Sequence, residues 1–249
     1  MRVSNPFTPP GRLPCAVVQC RACARLVAWR EAQAGRVPPR YLAWVERHGF
    51  WARPLPAFGD RRAWLAIVGL APAAQGANRT GRLFTGDRSG DFLFSALHRA
   101  GLATRAGSVS ADDGLRLRGA LITAAVRCAP PQNAPRPDEL RRCAGFLRAD
   151  LAALGHLRVV LVLGRLAHDA ALRLLKEQGS KLPGDLAFGH GKEWRLAGGV
   201  SLLDAYHVSQ QNTFTGRLTA AMFDDVLRRC KELAGDRGRL EEMVGGAAT

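Results

Sequence analysis

Residues 63–70, AWLAIVGL, form the first of four short apolar runs that decide the fold. The others are ALITAAV at 120–126, RVVLVLG at 158–164 and VSLLDAY at 200–206. Each run is too short and too rich in β-branched residues for a buried helix. A continuous apolar run of this length is typical of a strand that is covered on both faces. The four runs therefore predict four buried strands.

Amphipathic helical periodicity follows the runs, at about 89–100, 137–154, 165–177 and 218–233. Strands that alternate with helices predict an α/β fold, a single domain with a central four-stranded parallel sheet flanked by helices on both faces. We expect residues 1–60 to form an N-terminal arm with a helix over 20–30, residues 61–235 the core, and 236–249 a flexible tail.

The chain of 249 residues carries a formal net charge of +15, with a pI near 11.0. A positive field of this size attracts polyanions, so nucleic acid is the first partner to consider. Nearly all of the positive charge is arginine, which suits phosphate contacts but is also typical of GC-rich genomes.

The N-terminus has prolines where a signal peptide would need an apolar run, and no apolar stretch reaches the roughly 18 residues of a membrane span. We expect a cytoplasmic protein without a membrane partner, and a monomer. Six cysteines in such a compartment indicate metal binding rather than disulfides.

Four of the cysteines have a pattern that suits a metal site. Cys20 and Cys23 form a CxxC pair, and Cys128 and Cys143 follow the second strand. Four thiolates fit either zinc or a 4Fe-4S cluster, and spacing does not separate the two. Four unrelated buried thiols are the remaining alternative. Cys15 and Cys230 lack comparable partners, so we interpret both as nonligands.

In parallel sheets the ligand site lies beyond the carboxyl ends of the strands. The segment after the first strand, APAAQGANRTGRLFTGDRSGD at 71–91, supplies small residues for close backbone approach, an aromatic ring and an acid. It lacks the Gly-Lys-Ser/Thr of a P-loop. The segments after the second and fourth strands are RCAPPQN at 127–133 and HVSQQNTFTGRLT at 207–219.

Three motifs, GLAPAAQGANRTGRLFTGD, TAAVRCAPPQN and YHVSQQNTFTGRLT, together with CRACARLVAWRE near the N-terminus, resemble the family 5, or type-b, uracil-DNA glycosylases. The resemblance runs from about Cys20 to about Leu233, with the motifs in order. It implies a DNA-repair hydrolase that removes uracil and other deaminated bases from DNA, and a structural 4Fe-4S cluster on Cys20, Cys23, Cys128 and Cys143.

The resemblance also implies roles for the motif residues. Asp87 would activate water and stabilise the sugar cation, Asn133 would help to hold that water, and His207 would donate a hydrogen bond to the departing base. A helix N-cap is the alternative role of Asp87, and a turn that of Asn133. Phe84 would stack on the base, or be an ordinary core residue. The remaining base-binding candidates are Gly69, Leu70, Ala71, Pro72, Ala73 and Ala124.

The third motif predicts DNA contacts. Its residues 210–213 look like a loop that enters the DNA groove, and this motif has Val208 where the family pattern has proline. The DNA-binding candidates are Asn78, Arg79, Gln210, Gln211, Asn212, Thr213 and Arg217. No lysine lies in the motifs to form a Schiff base, so we expect no strand-nicking lyase activity.

Ala124 stands where the related family 4 uracil enzymes carry asparagine. Loss of that amide predicts a broader substrate range that includes hypoxanthine and xanthine. The alternatives are a uracil-only enzyme of the family 4 type, a noncatalytic iron-sulfur DNA-binding module, and a zinc-bound nucleotide-handling protein on the same sheet.

Overall fold

The computed structural model describes residues 5–7, 16–180, 182, 184 and 186–245, and side chains as far as residue 235. Cys15 lies outside the described residues. The strands are β1 (Phe58–Gly59), β2 (Leu65–Gly69), β3 (Ala120–Ala124), β4 (Val159–Leu163), β5 (Glu193–Arg195) and β6 (Ser201–Ala205).

All four predicted strands are present, and each is buried along its whole length. They form one sheet in the order β1-β3-β2-β4-β6-β5, in which the four buried strands are parallel. The prediction of a four-stranded sheet is extended by two short edge strands, β1 and β5, that pair antiparallel. Edge strands of two and three residues are too short to give a periodic sequence signal.

The helices agree closely with the periodicity of the core, and α3 and α7 are additional short ones. They are α1 (Ala24–Ala32), α2 (Leu42–His48), α3 (Ala77–Thr80), α4 (Arg88–Arg99), α5 (Pro137–Ala152), α6 (Arg165–Glu177), α7 (Gln210–Phe214) and α8 (Ala220–Gly245). Within the described residues, no helix combines the length and the apolar composition that crossing a membrane requires.

Two helix predictions need correction. The helix of the arm begins at Ala24, so Cys20 and Cys23 precede it instead of lying on its first turn. The segment 210–213 is the helix α7 and not a loop, since the Ser209 hydroxyl accepts a hydrogen bond from the Asn212 amide and caps its start. Helix α8 also continues to Gly245, into the segment expected to be a flexible tail.

The sheet separates two apolar layers because successive side chains of a strand point to opposite faces. Leu65 and Ile67 of β2 belong to the layer that includes α4 and α8, whereas Ala66 and Val68 belong to the layer with α5 and α6. Each large apolar side chain buried here contributes about 1.5–3 kcal/mol. The two layers hold the strand ends rigidly at one edge, where the functional segments begin.

The N-terminal arm is joined to this edge by backbone hydrogen bonds. Trp51 and Ala52 donate to the carbonyls of Arg79 and Asn78, and Leu55 donates to that of Arg127. The arm therefore lies against the segments that follow β2 and β3.

Candidate active site at the carboxyl edge of the sheet

A cavity of about 350 Å³ opens at the carboxyl ends of the strands. Volumes of roughly 300–1,000 Å³ are typical of small-molecule sites. Segments that follow all four parallel strands contribute to it. Its lining residues are Leu70, Ala71, Ala73, Ser89, Asn133, Leu163, Gly164, Arg165, Leu166, His207 and Ser209. The structure thus brings together Leu70, Ala71, Ala73, Asn133 and His207, as the sequence predicted.

Asp87 lies beside this cavity at the start of α4. Its Oδ1 accepts a hydrogen bond of 3.1 Å from the Gly90 amide, so the side chain is the N-cap of the helix. Its Oδ2 faces Gly76, where a Cβ would come within 2.0 Å of that oxygen. Only glycine leaves room for the carboxylate at this position. Asp87 is therefore the N-cap of α4, and its catalytic role stays a prediction.

Burial raises the pKa of Asp87, because desolvation disfavours the carboxylate. Hydrogen bonds from the Gly90 and Ser89 amides and the positive charge of Arg79 act in the opposite direction. The raised pKa moves this group toward the range in which a base works near neutrality.

Phe84 places its ring against the end of β2. A Cβ on Gly69 would lie 2.9 Å from Cζ of Phe84, so the ring packs directly on the glycine backbone. Phe84 has a φ of 53°, the left-handed region that a bulky side chain rarely adopts. Its ring centroid is 6.2 Å from that of His207, with the planes inclined by 35°. Phe84 is therefore only partly buried and is held by the site rather than by the core alone.

His207 lies two residues after the end of β6, and its backbone is held by α7. The Asn212 side-chain amide donates a 2.8 Å hydrogen bond to the His207 carbonyl, and Val208 is fully buried behind it. The buried valine anchors the turn where the family pattern has proline. Burial lowers the pKa of His207, so the imidazole is neutral at pH 7.

Asn133 lies in the turn after β3, in the left-handed region at φ 54° beside Gln132 at φ 55°. Its backbone amide closes this turn by donating to the Pro130 carbonyl at 3.3 Å. The side chain is exposed and lines the cavity. Two adjacent strained residues aim an amide into the cavity, which is typical of a functional site.

Several predicted residues lie outside the cavity lining. Pro72 and Ala124 are buried, and Ala124 pairs in register with Gly69 in the sheet. Asn78 is fully buried and donates to the Arg30 carbonyl at 3.0 Å. Arg79 is 2% exposed. Both side chains are thus buried in this structure, and contact of Asn78 and Arg79 with DNA stays a prediction.

The third motif presents a different surface. Gln210, Gln211 and Arg217 are exposed, and the Arg217 guanidinium lies 4.6 Å from the Tyr206 ring centroid. Asn212 and Thr213 are partly buried and bond to the backbone of 207–210. This part of the chain remains a candidate for DNA contact.

Two features were missed by sequence reasoning. Arg165 and the 51% exposed Leu166 line the cavity from the start of α6. Their position directly after a strand was the available signal. Phe214, at the end of α7, is 66% exposed, with the Arg88 guanidinium 5.1 Å from its ring. Nothing in the sequence distinguishes it from an ordinary core phenylalanine.

The four predicted cysteine ligands line one separate and small cavity of about 20 Å³. Arg30 donates a 2.9 Å hydrogen bond to Sγ of Cys128, and the Arg127 amide donates to Sγ of Cys143 at 3.3 Å. Burial raises the pKa of the Cys143 thiol to about 12. Cys230 is buried in α8, away from this cavity.

The thiol cavity is bordered from two parts of the chain, by Cys20 and Cys23 of the arm and by Cys128 and Cys143 after β3. Within the described residues, no group of three or more His, Cys, Asp or Glu is arranged to hold one metal ion. Tetrahedral zinc, with Zn–S distances of about 2.3 Å, draws its four sulfurs close together. A 4Fe-4S cluster separates them, because each thiolate binds a different iron. Four thiols that line one cavity are the donor set that either metal group requires.

Comparison with known proteins identifies the family of the chain. Residues 56–231 match the model of the uracil DNA glycosylase superfamily. The chain is 51% identical over 222 residues to a type-5 uracil-DNA glycosylase of Mycobacterium bovis, covering 87% of this chain and 78% of that protein. It is 50% identical to a type-5 enzyme of Thermus thermophilus (87% and 94%). It is 44% identical to one of Pyrobaculum aerophilum (88% and 91%). The chain therefore belongs to the uracil-DNA glycosylase superfamily and, within it, to the type-5 family.

Proposed function

We propose that the protein is a monofunctional DNA glycosylase of base excision repair, which hydrolyses the N-glycosidic bond of uracil and other deaminated bases and leaves an abasic site. The observation that carries the proposal is the convergence of Asp87, Phe84, Asn133 and His207 at one edge of the sheet. The type-5 relatives support the same chemistry.

Access to the bond requires that the nucleotide leave the duplex, which costs a few kcal/mol and is easiest for weakly paired bases. The ring of Phe84 supplies a surface on which the extruded base stacks. Leu70, Ala71 and Ala73 border the cavity beside it. Exposed Gln210, Gln211 and Arg217, together with Asn212 and Thr213 of the same segment, face the DNA. The exposed ring of Phe214 adds an apolar group that fills the vacated stack.

Hydrolysis develops positive charge on the sugar and negative charge on the departing base. Asp87 stabilises the sugar cation through Oδ2 and orients or activates water, with Asn133 as the second water-binding group. Neutral His207 donates a hydrogen bond to the base carbonyl oxygen as charge gathers there. A neutral imidazole is suitable because it donates without requiring a buried cation in the free enzyme.

The substrate range is inferred from the sequence at Ala124, which lies outside the cavity lining at the end of β3 and supplies no amide to read the uracil edge. We infer that hypoxanthine and xanthine enter as well as uracil. A uracil-only enzyme of the family 4 type is the alternative, and its defining asparagine is absent from position 124.

Cys20, Cys23, Cys128 and Cys143 would hold a 4Fe-4S cluster, with Arg30 as a cationic donor to one thiolate. When bound, the cluster supplies structural cross-links and no electron transfer, since hydrolysis needs none. It would join the arm to the segments after β3. We further propose a monomer that acts on DNA in the cytoplasm.

The test is cleavage of a labelled duplex with one uracil, by the wild type and by Asp87→Asn, before and after alkali. Strand breaks that appear only after alkali, and are lost in Asp87→Asn, support a monofunctional hydrolase. Breaks before alkali would indicate lyase activity. Tight DNA binding with no base release by the wild type would favour the noncatalytic module.

A further inference from the structure

The guanidinium of Arg79 is buried beside Asp87 and is held by two aromatic rings of the N-terminal arm. Its carbon lies 4.1 Å from the Tyr41 ring centroid and 4.4 Å from that of Trp44. Trp44 belongs to α2, and Tyr41 immediately precedes that helix. Contact with two rings stabilises a desolvated cation through the negative faces of the rings. The Arg79 side chain is thus held between the two rings and is shielded from solvent.

The polar edge of the same guanidinium joins the two segments that enclose the Asp87 carboxylate. Nε donates to the Gln75 carbonyl at 2.8 Å, and Nη2 donates to the Gly86 carbonyl at 2.9 Å. Gln75 precedes Gly76, whose backbone packs against Oδ2 of Asp87, and Gly86 precedes Asp87 itself. One side chain therefore determines the separation of both walls around the carboxylate.

Position 86 shows how tightly this guanidinium is fitted. Gly86 has a φ of 82°, and a Cβ there would lie 2.7 Å from Nη2 of Arg79. The third nitrogen, Nη1, is buried and has no hydrogen-bond partner among the described residues. An arginine retained with an unpaired buried nitrogen is costly, which indicates that its charge or its two carbonyl contacts serve a purpose.

Burial and the surrounding charges shift the pKa values of both Asp87 and Arg79. The Arg79 charge lowers the pKa of Asp87, against the stronger effect of burial and against Asp91. In return, burial and Arg40 lower the pKa of Arg79, whereas Tyr41 and Asp87 raise it. Removal of the guanidinium thus removes the cation that favours the ionised carboxylate.

We propose that Arg79 is a positioning residue for Asp87, clamped by Tyr41 and Trp44 so that the N-terminal arm holds the catalytic carboxylate in place. This proposal rests on the catalytic role proposed for Asp87. It replaces DNA contact as the function of Arg79, and it gives the aromatic residues at α2 a part in catalysis without contact with substrate.

The test is the single-turnover rate of uracil release as a function of pH for Arg79→Met and Arg79→Lys, with DNA affinity measured in parallel. Arg79→Met should lower the rate about 10- to 100-fold, the cost typical of a misplaced catalytic group. Affinity for uracil-containing duplex should stay unchanged. The acid limb of the rate profile should move to higher pH, since more of Asp87 is protonated at each pH. Arg79→Lys should restore part of that limb.

Arg82→Met is the matched control. Arg82 is equally buried in the same motif, but it pairs with Asp113 and stacks on Phe58. It donates to the Thr85 hydroxyl and has no described hydrogen bond to the Gln75 or Gly86 carbonyls that Arg79 binds. The Arg82→Met variant should have the acid limb of its rate profile at the same pH as the wild type. If Arg79→Met does not fold, Trp44→Leu, which removes one half-buried ring of the clamp, should give a smaller shift in the same direction.

Weakened DNA affinity with an unchanged acid limb in Arg79→Met would overturn the proposal and restore the phosphate contact. An equal shift in Arg82→Met would also overturn it. Failure of the proposed function is a separate outcome, since wild-type activity in Asp87→Asn would remove Asp87 from the mechanism before Arg79 is considered.

Discussion

The ring of Phe84 stands 6.2 Å from the imidazole of His207, and the two planes are inclined by 35°. Phe84 reaches this position from the segment after β2, and His207 from the end of β6, so the sheet sets the separation. The two rings are not stacked face to face. In the proposed function, Phe84 offers a ring face to the base and His207 offers an N–H group to its edge.

Substitution of Phe84 by leucine should weaken catalysis by the loss of stacking, worth about 1–3 kcal/mol per base. The free energy of unfolding should change less, because the residue is only partly buried and its left-handed backbone is strained. Phe58→Leu is the control, since Phe58 packs on Phe94 away from the cavity. Single-turnover rates on uracil duplex check this; equal losses in both variants would mean that Phe84 only packs.

Asp87→Asn should reduce the rate by about 10²–10⁴-fold, the usual contribution of a positioned acid-base group. Stability should hold, because asparagine caps a helix as well as aspartate, whereas Asp87→Ala should also lose the cap, at about 0.5–2 kcal/mol. Single-turnover rates and denaturant unfolding of both variants separate the two effects. Equal rates in Asp87→Asn and the wild type would mean that Asp87 only caps the helix and has no part in catalysis.

The pH dependence of the wild type follows from the raised pKa of Asp87. The carboxylate is the active form, so the rate should decline as pH falls through that raised pKa, at a higher pH than an exposed aspartate would give. A rate profile without an acid limb, in wild type and Asp87→Asn alike, would contradict the role of the carboxylate.

Ala124→Asn should narrow the substrate range. An amide at this position supplies specific hydrogen bonds to uracil and removes the space that larger purines need. The site is 1% exposed, so the larger side chain should also cost about 1–3 kcal/mol of stability. Ala124→Val is the control for volume alone. The ratio of uracil to hypoxanthine rate constants decides: a ratio that stays the same in Ala124→Asn refutes the assignment.

Arg30→Met should weaken retention of the proposed iron-sulfur cluster. Its guanidinium donates to Sγ of Cys128, and loss of a cationic donor leaves a buried thiolate less stabilised. Arg25→Met, whose side chain pairs with Glu139 and not with a thiol, should keep the cluster. The measurements are the iron content, the sulfide content and the rate at which visible absorbance is lost under air, in each variant and the wild type. Equal amounts of iron and sulfide are expected in the wild type, and zinc instead would exclude the cluster.

The four central strands could be predicted because each is a continuous apolar run, and their order along the chain located the cavity-forming segments. The edge strands could not be predicted, since Phe58–Gly59 and Glu193–Arg195 are too short to show a periodic pattern of apolar residues. Helix α7 was mistaken for a loop because QQNTF has no apolar periodicity, although Ser209 was an available capping signal.

The burial of Asn78 and Arg79 could not be predicted from the sequence either. Their partners, the Arg30 carbonyl and the rings of Tyr41 and Trp44, come from a distant part of the chain. A polar residue in a DNA-glycosylase motif suggests DNA contact until the fold shows what covers it. By contrast, the sequence pattern grouped Cys20 and Cys23 with Cys128 and Cys143, because thiols in this pattern have few uses other than a shared site. In the structure all four line one cavity.

The most direct test is the release of free base from matched duplexes that contain uracil, hypoxanthine or xanthine, measured under single-turnover conditions with the wild-type protein. Release of all three bases, with the DNA strand intact until alkali is added, is the result expected of a broad monofunctional glycosylase. Release of uracil alone would contradict the broad range inferred from Ala124, and release of none would contradict the proposed activity itself.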